Sequence, residues 1–163
     1  LNHTRSNITS GGLGTMGFAL PAGLGAALAS RQLPVVAVIG DGGIQMTIQE
    51  LGTLMQTQAP LKIIILNNAY LGMVRQWQEL FHENRYSFVN ISSPDYVALA
   101  AAYGIAGTKV TERSELVDAL TTMLAVNGPY LLDVSVAKED NIFPMVPQGK
   151  GVSEIVLSKD DMK

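Results

Sequence analysis

Two short runs of consecutive apolar residues limit the folds open to this chain of 163 residues. Val35–Ile39 is followed by Gly-Asp-Gly-Gly at positions 40–43, and Ile63–Leu66 is followed by Asn67-Asn68. Unbroken apolarity is typical of strands that are buried on both faces, as in parallel sheets. Helix-like stretches alternate with these runs, beginning with the small apolar residues 13–30. The alternation predicts an α/β fold with an open, mostly parallel sheet and helices on both faces.

Polar residues at helix-capping spacing predict where the next helices begin. Thr47 and Glu50 are spaced as a capping box, which predicts a helix that runs to about Gln58. Ser93 is predicted to cap a later helix, because the proline that follows it suits the first helical position. This helix is expected to end near Gly104. The remaining patterns predict a weaker strand, a helix and a last strand, at residues 105–110, 116–124 and 130–136.

Composition excludes several classes of protein. Apolar residues make up 47% of the chain and charged residues 15%, against roughly 25% charged in an ordinary soluble domain. This balance excludes intrinsic disorder and indicates that much of the surface contacts other protein. A net charge of −3 supplies no basic surface for nucleic acid or an anionic membrane, and no apolar run approaches the ~20 residues of a membrane span. The chain has no cysteine, which excludes disulfides and thiolate chemistry.

The polar residues that follow the two strands are candidate ligands. Asp41 offers a carboxylate and Asn68, 27 positions later, offers a neutral amide oxygen. Ligands of open α/β sheets bind beyond the carboxyl ends of the strands, and oxygen donors of this kind suit Mg²⁺ or Ca²⁺. Gly42 and Gly43 leave their amides open to a phosphate. Either cluster alone is typical of a simple turn, but together they predict a magnesium–diphosphate site.

A second glycine motif supports an alternative from another class. Gly12–Gly17 matches G-x-G-x-x-G, and Asp41 lies 24 residues after it, as in a dinucleotide-binding fingerprint. Residues 3–10 are polar, however, and make a poor buried first strand. The dinucleotide interpretation also gives no role to Asn67-Asn68, so we rank it below the magnesium–diphosphate site. NADH binding without Mg²⁺ would favour it. A non-catalytic interaction domain is a third interpretation.

These motifs resemble a known family. Gly40-Asp41-Gly42 and Asn67-Asn68, at this separation, resemble the cofactor motif of thiamine-diphosphate-dependent enzymes. Further segments, spread over nearly the whole chain, resemble the catalytic subunits of acetolactate (acetohydroxyacid) synthases: residues 10–18, 71–78, 81–87 and 143–147. The resemblance implies that residues 1–163 form a single domain, the C-terminal diphosphate-binding domain of a three-domain enzyme. The pyrimidine-binding and middle domains are then expected upstream of Leu1.

The resemblance also implies roles for individual residues. Asp41, Asn68 and the main-chain carbonyl of Tyr70 are the implied Mg²⁺ ligands. The carbonyl of Gly14 is expected to bind the aminopyrimidine, and Met16 to support the thiazolium and hold the cofactor bent. The other implied cofactor contacts are Gly42, Gly43, Leu71, Gly72 and Met73, and the implied walls of the substrate channel are Met73, Val74 and Trp77. Alternatively, Met16 is a core methionine and Trp77 packs within its helix.

The implied reaction condenses two pyruvates, or pyruvate and 2-ketobutyrate, with loss of CO₂, in branched-chain amino acid biosynthesis. The glutamate that activates the cofactor belongs to the missing pyrimidine domain in this family. We therefore expect no catalytic residue in this chain, and no activity from the 163 residues alone. The nearest alternative is another thiamine-diphosphate-dependent decarboxylase, oxidase or carboligase that acts on 2-keto acids.

The resemblance extends to partners and location. It implies FAD in the full-length enzyme, although not bound by this domain alone, and a homodimer or homotetramer whose active site lies at the subunit interface. It also implies a regulatory small subunit and a cytoplasmic location. Neither nucleic acid nor a membrane is expected as a partner.

The remaining charged residues and the histidine of these segments are given no functional role. Lys62 and Arg75 are expected to be solvated, and His82 is expected at the surface. Glu50 and Glu79 fall in the wrong segments to activate the cofactor.

Overall fold

The computed structural model of the chain describes residues 6–30 and 33–162. These residues form two compact units. The first comprises the described residues up to Asn68 together with Ser92–Val136, and we call it the sheet unit. The second unit comprises Ala69–Ile91 and the described residues from Ala137 onward.

The sheet unit contains four parallel strands. They are β1 (Val35–Gly40), β2 (Leu61–Asn67), β3 (Ala106–Val110) and β4 (Tyr130–Ser135), in the spatial order β1-β2-β4-β3. Every neighbouring pair is parallel. The predicted α/β fold with a parallel sheet is therefore confirmed, and all four predicted strands are present.

The described residues form the α-helices α1 (Ala19–Ala29), α2 (Asp41–Gln45), α3 (Glu50–Thr57), α4 (Gly72–Phe81), α5 (Tyr96–Ala102) and α6 (Leu116–Ala125). Short 3₁₀ turns lie at Gly11–Leu13, Arg113–Glu115, Val152–Glu154 and Lys159–Met162. Of these helices, α4 belongs to the second unit and the others to the sheet unit. None of the helices that the structure describes is long and apolar enough to cross a membrane.

Two hydrophobic clusters stabilise the sheet unit, one on each face of the sheet. The larger includes Leu20, Leu51, Ile63 and Leu131, none of which is exposed to solvent. In the smaller, Met123 of α6 and Leu132 of β4 are buried together. Because burial of apolar surface contributes roughly 25 cal/mol per Å², these clusters are the main source of the sheet unit's stability.

The face of the sheet that carries α6 is covered only in part. Helix α6 contacts β3 and β4. Val36 and Val38 of β1 and Leu66 of β2 remain 43%, 54% and 41% exposed. Parallel sheets normally have both faces covered by helices, so an exposed apolar surface on one face is unusual.

The first helix is shorter than predicted. Residues 13–30 were expected to be helical, but α1 begins at Ala19. Gly14 and Gly17 have φ angles of +55° and +90°, which a right-handed helix does not contain. The glycines therefore place the preceding residues in a loop.

The predicted capping box at Thr47 and Glu50 is wrong. Helix α3 begins at Glu50, and no side chain caps its first turn. The Thr47 hydroxyl instead donates to the main-chain carbonyl of Gly17, 3.0 Å away. A Cβ on Gly17 would lie 3.1 Å from the Cβ of Met46, so the loop before α1 packs closely against the turn before α3.

The predicted cap at Ser93 is also wrong. Asp95 caps α5, and its carboxylate accepts hydrogen bonds from the amides of Val97 and Ala98 at 3.0 and 2.9 Å. The Ser93 hydroxyl points elsewhere and donates to Oδ2 of Asp41, 3.0 Å away. An aspartate two residues downstream is as good a cap as serine, and it leaves Ser93 available for a tertiary contact.

Lys62 is buried, contrary to the prediction that it is solvated. Its side chain is on β2, and the residue is 4% exposed. The ammonium donates to the carbonyls of Val126 and Gly128, just beyond the C-terminus of α6, at 2.6 and 2.5 Å. Carbonyls at the end of a helix lack intrahelical partners and attract cations, which makes this burial tolerable. Burial lowers the pKa of Lys62.

In the second unit, the buried face of α4 is polar. Gln76 is 2% exposed, and its side-chain amide exchanges two hydrogen bonds with the main chain of Ile142, at 3.0 and 2.7 Å. One oxygen of Glu79 lies 3.0 Å from the Arg75 guanidinium, and the other lies 2.6 Å from the Lys159 ammonium. Arg75 is 9% exposed, so the prediction that it is solvated is wrong. Hydrogen bonds and ion pairs thus join the C-terminal segment to α4.

Candidate functional site

The two predicted metal-ligand side chains lie at one edge of the sheet. Strands β1 and β2 are parallel neighbours, and Gly40 pairs with Leu66. Asp41 directly follows Gly40, the last residue of β1, and Asn68 directly follows Asn67, the last residue of β2. Both side chains therefore leave the sheet from the carboxyl ends of adjacent strands, where open α/β sheets bind ligands.

Asp41 is buried and held by contacts from α5 and the loop before it. It is 1% exposed. The Ser93 hydroxyl donates to Oδ2 of Asp41 at 3.0 Å, and the Tyr96 phenol donates to the main-chain carbonyl of Asp41 at 2.8 Å. The Gln45 amide in turn donates to the phenolic oxygen of Tyr96 at 3.3 Å. Burial raises the pKa of Tyr96, so the phenol remains a protonated donor.

Asn67, which precedes Asn68, is held by a buried carboxylate. Its side-chain amide donates to Oδ1 of Asp133 at 3.0 Å. Asp133 lies on β4 and is 1% exposed, and the Lys109 ammonium is 4.0 Å from its other oxygen. The main-chain carbonyl of Asn67 also accepts from the amide of Val136 at 3.0 Å. Hydrogen bonds to both the side chain and the main chain of Asn67 therefore hold the end of β2 in place.

The two glycine motifs meet in the sheet unit. Gly17 approaches α2 so closely that a Cβ on it would lie 3.3 Å from the carbonyl oxygen of Gly43. Gly42 and Gly43 lie in α2, directly after Asp41. Gly14 and Met16 belong to the loop that Gly17 anchors, and Met16 is 42% exposed. The interpretation of Met16 as a core methionine is therefore wrong.

The remaining predicted residues lie in the second unit, where hydrogen bonds define the start of α4. The amide of Leu71 donates to the carbonyl of Val89 at 2.8 Å. Tyr70 forms an antiparallel bridge with Asn90. Gly72 is the first residue of α4. The segment before α4 is therefore tied to the loop that follows this helix.

The opposite face of α4 is apolar. Met73 and Val74 are 50% and 47% exposed in its first turn. The ring of Trp77 is half-buried and lies 4.8 Å from that of Phe81, centroid to centroid. Trp77 thus packs within its own helix, as one of the two interpretations expected, and it lies on the same face of α4 as Met73 and Val74.

The described residues offer oxygen donors but no cluster of acidic or histidine ligands. Within the described ranges, no three His, Cys, Asp or Glu side chains are arranged to hold a metal. His82 is exposed just after α4, as predicted. A cation at the carboxyl edge would consequently need ligands beyond Asp41, such as an amide or main-chain oxygen.

Sequence reasoning missed three residues that contact this edge. Ser93 and Tyr96 hold Asp41, and Asp133 holds Asn67. Asp133 could have been noticed, because it is the one charged residue in the strand Tyr130–Ser135. In the second unit, Gln76 and Glu79 were missed as well, and nothing in their spacing distinguishes them from solvated helix residues.

An open parallel sheet with polar side chains grouped at its carboxyl edge defines the class as an α/β ligand-binding domain. Comparison with known families makes this specific. The chain belongs to the family described as "Thiamine pyrophosphate enzyme, C-terminal TPP binding domain", whose model matches residues 1–134. Thiamine pyrophosphate is the cofactor called thiamine diphosphate above.

Within this family, the chain is similar to acetolactate synthases. The chain is 50% identical over 157 residues to the acetolactate synthase isozyme 2 large subunit of Escherichia coli, covering 94% of this chain and 29% of that protein. It is 45% identical over 152 residues to the mitochondrial acetolactate synthase of Schizosaccharomyces pombe, covering 93% of this chain and 23% of that protein. The chain thus spans about a quarter of the length of these relatives.

A solved structure is also similar. It is the thiamine diphosphate-dependent 4-hydroxybenzoylformate decarboxylase of Rhodococcus jostii, with a TM-score of 0.74 and 33% identity, covering 79% of this chain and 24% of that one. The resemblance seen in the sequence is confirmed. Because one family model spans both glycine motifs, the dinucleotide-binding alternative is set aside. Residues 6–10 also form no strand, and residues 3–5 lie outside the described part of the chain.

Proposed function

We propose that this chain is the C-terminal cofactor-binding domain of an acetolactate synthase catalytic subunit. The reaction is the condensation of two pyruvates, or of pyruvate and 2-ketobutyrate, with loss of CO₂, in branched-chain amino acid biosynthesis. The observation that carries the proposal is the 50% identity to an acetolactate synthase large subunit over 94% of the chain. As a second candidate, the structural similarity to a benzoylformate-type decarboxylase favours another thiamine-diphosphate-dependent enzyme of 2-keto acids.

The donor set at the carboxyl edge fits Mg²⁺. Asp41 contributes a carboxylate and Asn68 an amide oxygen, both at the ends of adjacent strands. Mg²⁺ prefers such oxygen ligands and is usually held by one or two protein groups together with phosphate oxygens. The family resemblance implies the main-chain carbonyl of Tyr70 as the third protein ligand, and a main-chain ligand does not depend on the side chain at that position.

The remaining roles are those that the family resemblance implies, and the exposure of Met16 is compatible with its role. Thiamine diphosphate, when bound, supplies an electron sink for decarboxylation of a 2-keto acid. The Gly14 carbonyl accepts a hydrogen bond from its aminopyrimidine, and the half-exposed Met16 supports its thiazolium. The backbones of Gly42, Gly43, Leu71 and Gly72 line its diphosphate, with Met73 beside them. The apolar side chains of Met73, Val74 and Trp77 exclude water from the substrate channel, where low polarity favours loss of a carboxylate.

We propose that residues 1–163 are one domain of a longer chain and contain no catalytic residue. The activating glutamate comes from the pyrimidine-binding domain of a neighbouring subunit, in a homodimer or homotetramer. The exposed apolar surface of Val36, Val38 and Leu66 supports contact with further protein. The 163 residues alone are expected to form no acetolactate and to bind the cofactor poorly.

The wider assignments are proposals of the same kind. The name "large subunit" of the Escherichia coli relative supports a regulatory small subunit as a partner. FAD belongs to the middle domain of the full-length enzyme. The proposed location is the cytoplasm, which cell fractionation tests, since the Schizosaccharomyces pombe relative is named as mitochondrial.

The test is acetolactate formation from pyruvate by the full-length protein, with thiamine diphosphate and Mg²⁺ each omitted in turn. Asp41→Ala is assayed beside Asp118→Ala, which removes an exposed carboxylate on α6. We expect activity to vanish without either cofactor. In Asp41→Ala it should fall by at least about 100-fold, because loss of a direct metal ligand should cost more than the roughly 10–100-fold typical of a group that only hydrogen-bonds to a ligand, and Asp118→Ala should retain it.

Two results would change the proposal. Release of CO₂ without acetolactate would keep the magnesium–diphosphate site but assign the enzyme to the decarboxylase alternative. Activity that needs neither cofactor, or that survives in Asp41→Ala, would contradict the site itself.

A further inference from the structure

Ser93 reaches the carboxylate of Asp41 from a distant part of the chain. The two residues are 52 positions apart, and the Ser93 hydroxyl donates to Oδ2 of Asp41 at 3.0 Å. Asp41 is 1% exposed and Ser93 is half-buried, so this hydrogen bond is partly shielded from water. A hydrogen bond to an ionised group is among the stronger ones in a protein.

The backbone of Asp41 is held from the same side. Tyr96, the first residue of α5, is fully buried, and its phenol donates to the main-chain carbonyl of Asp41 at 2.8 Å. The position of the Asp41 backbone is thus fixed by α5. With the backbone fixed, the orientation of the carboxylate depends on the side-chain torsions, which the hydrogen bond from Ser93 restrains.

The Ser93 hydroxyl is not needed to begin α5. Asp95 caps that helix through the amides of Val97 and Ala98. A serine near the start of a helix often serves as its cap, but Asp95 fills that role here. The hydroxyl of Ser93 instead contacts the Asp41 carboxylate, and it also interacts with the phenol of Tyr96.

We infer that Ser93 is a positioning residue that orients the Asp41 carboxylate for the cation that binds the cofactor's diphosphate. The inference rests on the proposed function, in which Asp41 is a Mg²⁺ ligand. Groups that hydrogen-bond to a metal ligand fix its geometry before the metal arrives, and their loss typically costs 10–100-fold in metal affinity. The Ser93 hydroxyl touches neither substrate nor cofactor in this role, so its loss should affect Mg²⁺ binding and not the chemical step.

The test measures thiamine diphosphate binding to the full-length protein by calorimetry at a series of Mg²⁺ concentrations. Ser93→Ala should raise the Mg²⁺ concentration for half-maximal binding about 10-fold. Ser93→Thr keeps the hydroxyl and should remain within about twofold of the unchanged protein. Ser92→Ala is the matched control, because Ser92 is the exposed neighbour in the same loop. The kcat of Ser93→Ala at saturating Mg²⁺ should stay within about twofold.

The outcomes separate this inference from the proposed function. If Asp41→Asn weakens Mg²⁺-dependent binding while Ser93→Ala behaves like Ser92→Ala, the positioning role is overturned and the metal site stands. If Asp41→Asn has no effect, the metal site itself is wrong. Equal shifts in Ser93→Ala and Ser93→Thr would overturn the inference, because the hydroxyl would not be the cause.

Folding is checked by circular dichroism of the cofactor-free variants. If Ser93→Ala does not fold, Ser93→Cys replaces it, since a thiol is similar in size but a much weaker donor. A Mg²⁺ requirement raised several-fold in Ser93→Cys supports the positioning role, and an unchanged requirement contradicts it.

Discussion

The sheet unit and the second unit are stabilised in different ways. Both hydrophobic clusters belong to the sheet unit, where side chains such as Ile63 and Leu131 are fully buried. The second unit instead buries Arg75, Gln76 and Glu79 on one face of α4. Apolar periodicity therefore describes the first unit well and the second poorly.

The difference follows from the directionality of the two kinds of interaction. Hydrophobic burial is non-directional, so an apolar pattern along the chain is enough to predict which face is covered. Hydrogen bonds and ion pairs need particular partners at particular distances. Gln76 finds its partner 66 positions away, and Glu79 finds Lys159 80 positions away. No local pattern in the sequence predicts such partners.

The largest effect is expected from a cavity in the sheet unit. Leu131→Ala removes a fully buried side chain of β4 and should lower the free energy of unfolding by about 3 kcal/mol, through lost burial and the cavity left behind. Hydrogen exchange of the β2 and β4 amides measures this change in the free energy of unfolding. Leu124→Ala on α6, where the leucine is 55% exposed, should change it by about 0.5 kcal/mol or less. Similar losses in both variants would contradict the assignment of the core.

A smaller, local effect is expected in the second unit. Gln76→Ala leaves the main-chain groups of Ile142 without their side-chain partner and should cost about 2 kcal/mol. Exchange should accelerate in residues 140–146 and stay unchanged in β2. Gln56→Ala, at an exposed position of α3, serves as the control. Equal acceleration in both segments would mean that the units do not open independently.

The smallest effect concerns pH. The hydrogen bond from the Lys159 ammonium, with further help from Asn141 and Arg75, holds the pKa of Glu79 below its ordinary value. A carboxyl group of lowered pKa stabilises the fold above the unfolded value of about 4.3, and this contribution is lost as the pH falls through the folded pKa. The stability of the second unit should therefore decrease with acid over that window. Glu79→Gln should flatten the dependence, and an unchanged slope would exclude Glu79 as its source.

The sequence alone was sufficient to predict four strands and their parallel arrangement. Alternating strand-like and helical stretches indicate both, but they do not predict the spatial order β1-β2-β4-β3. The location of Asp41 and Asn68 at one edge also follows, since each comes directly after a strand. Helix starts were less predictable, because Thr47 and Ser93 each bond to a distant group in place of a helix amide.

Charged and polar side chains account for most of the remaining errors. Lys62 was expected in water, but the carbonyls beyond α6 offer it acceptors that exist only once the chain has folded. Asp133 and Ser93 were not recognised because their partners, Asn67 and Asp41, lie 66 and 52 positions away. Residues that hold a ligand in place are thus harder to find than the ligand itself.

The burial of Lys62 has a practical consequence for chemical footprinting. Acylating reagents attack exposed amines, and the side chains of Lys109, Lys150 and Lys159 are 54%, 54% and 59% exposed. Lys62 is 4% exposed and sits on a central strand, so its amine becomes available to a reagent only when the sheet unit opens. The rate at which Lys62 is acylated therefore reports the rate at which the sheet unit opens. Acylation of the exposed lysines of the same molecule measures how much reagent was present.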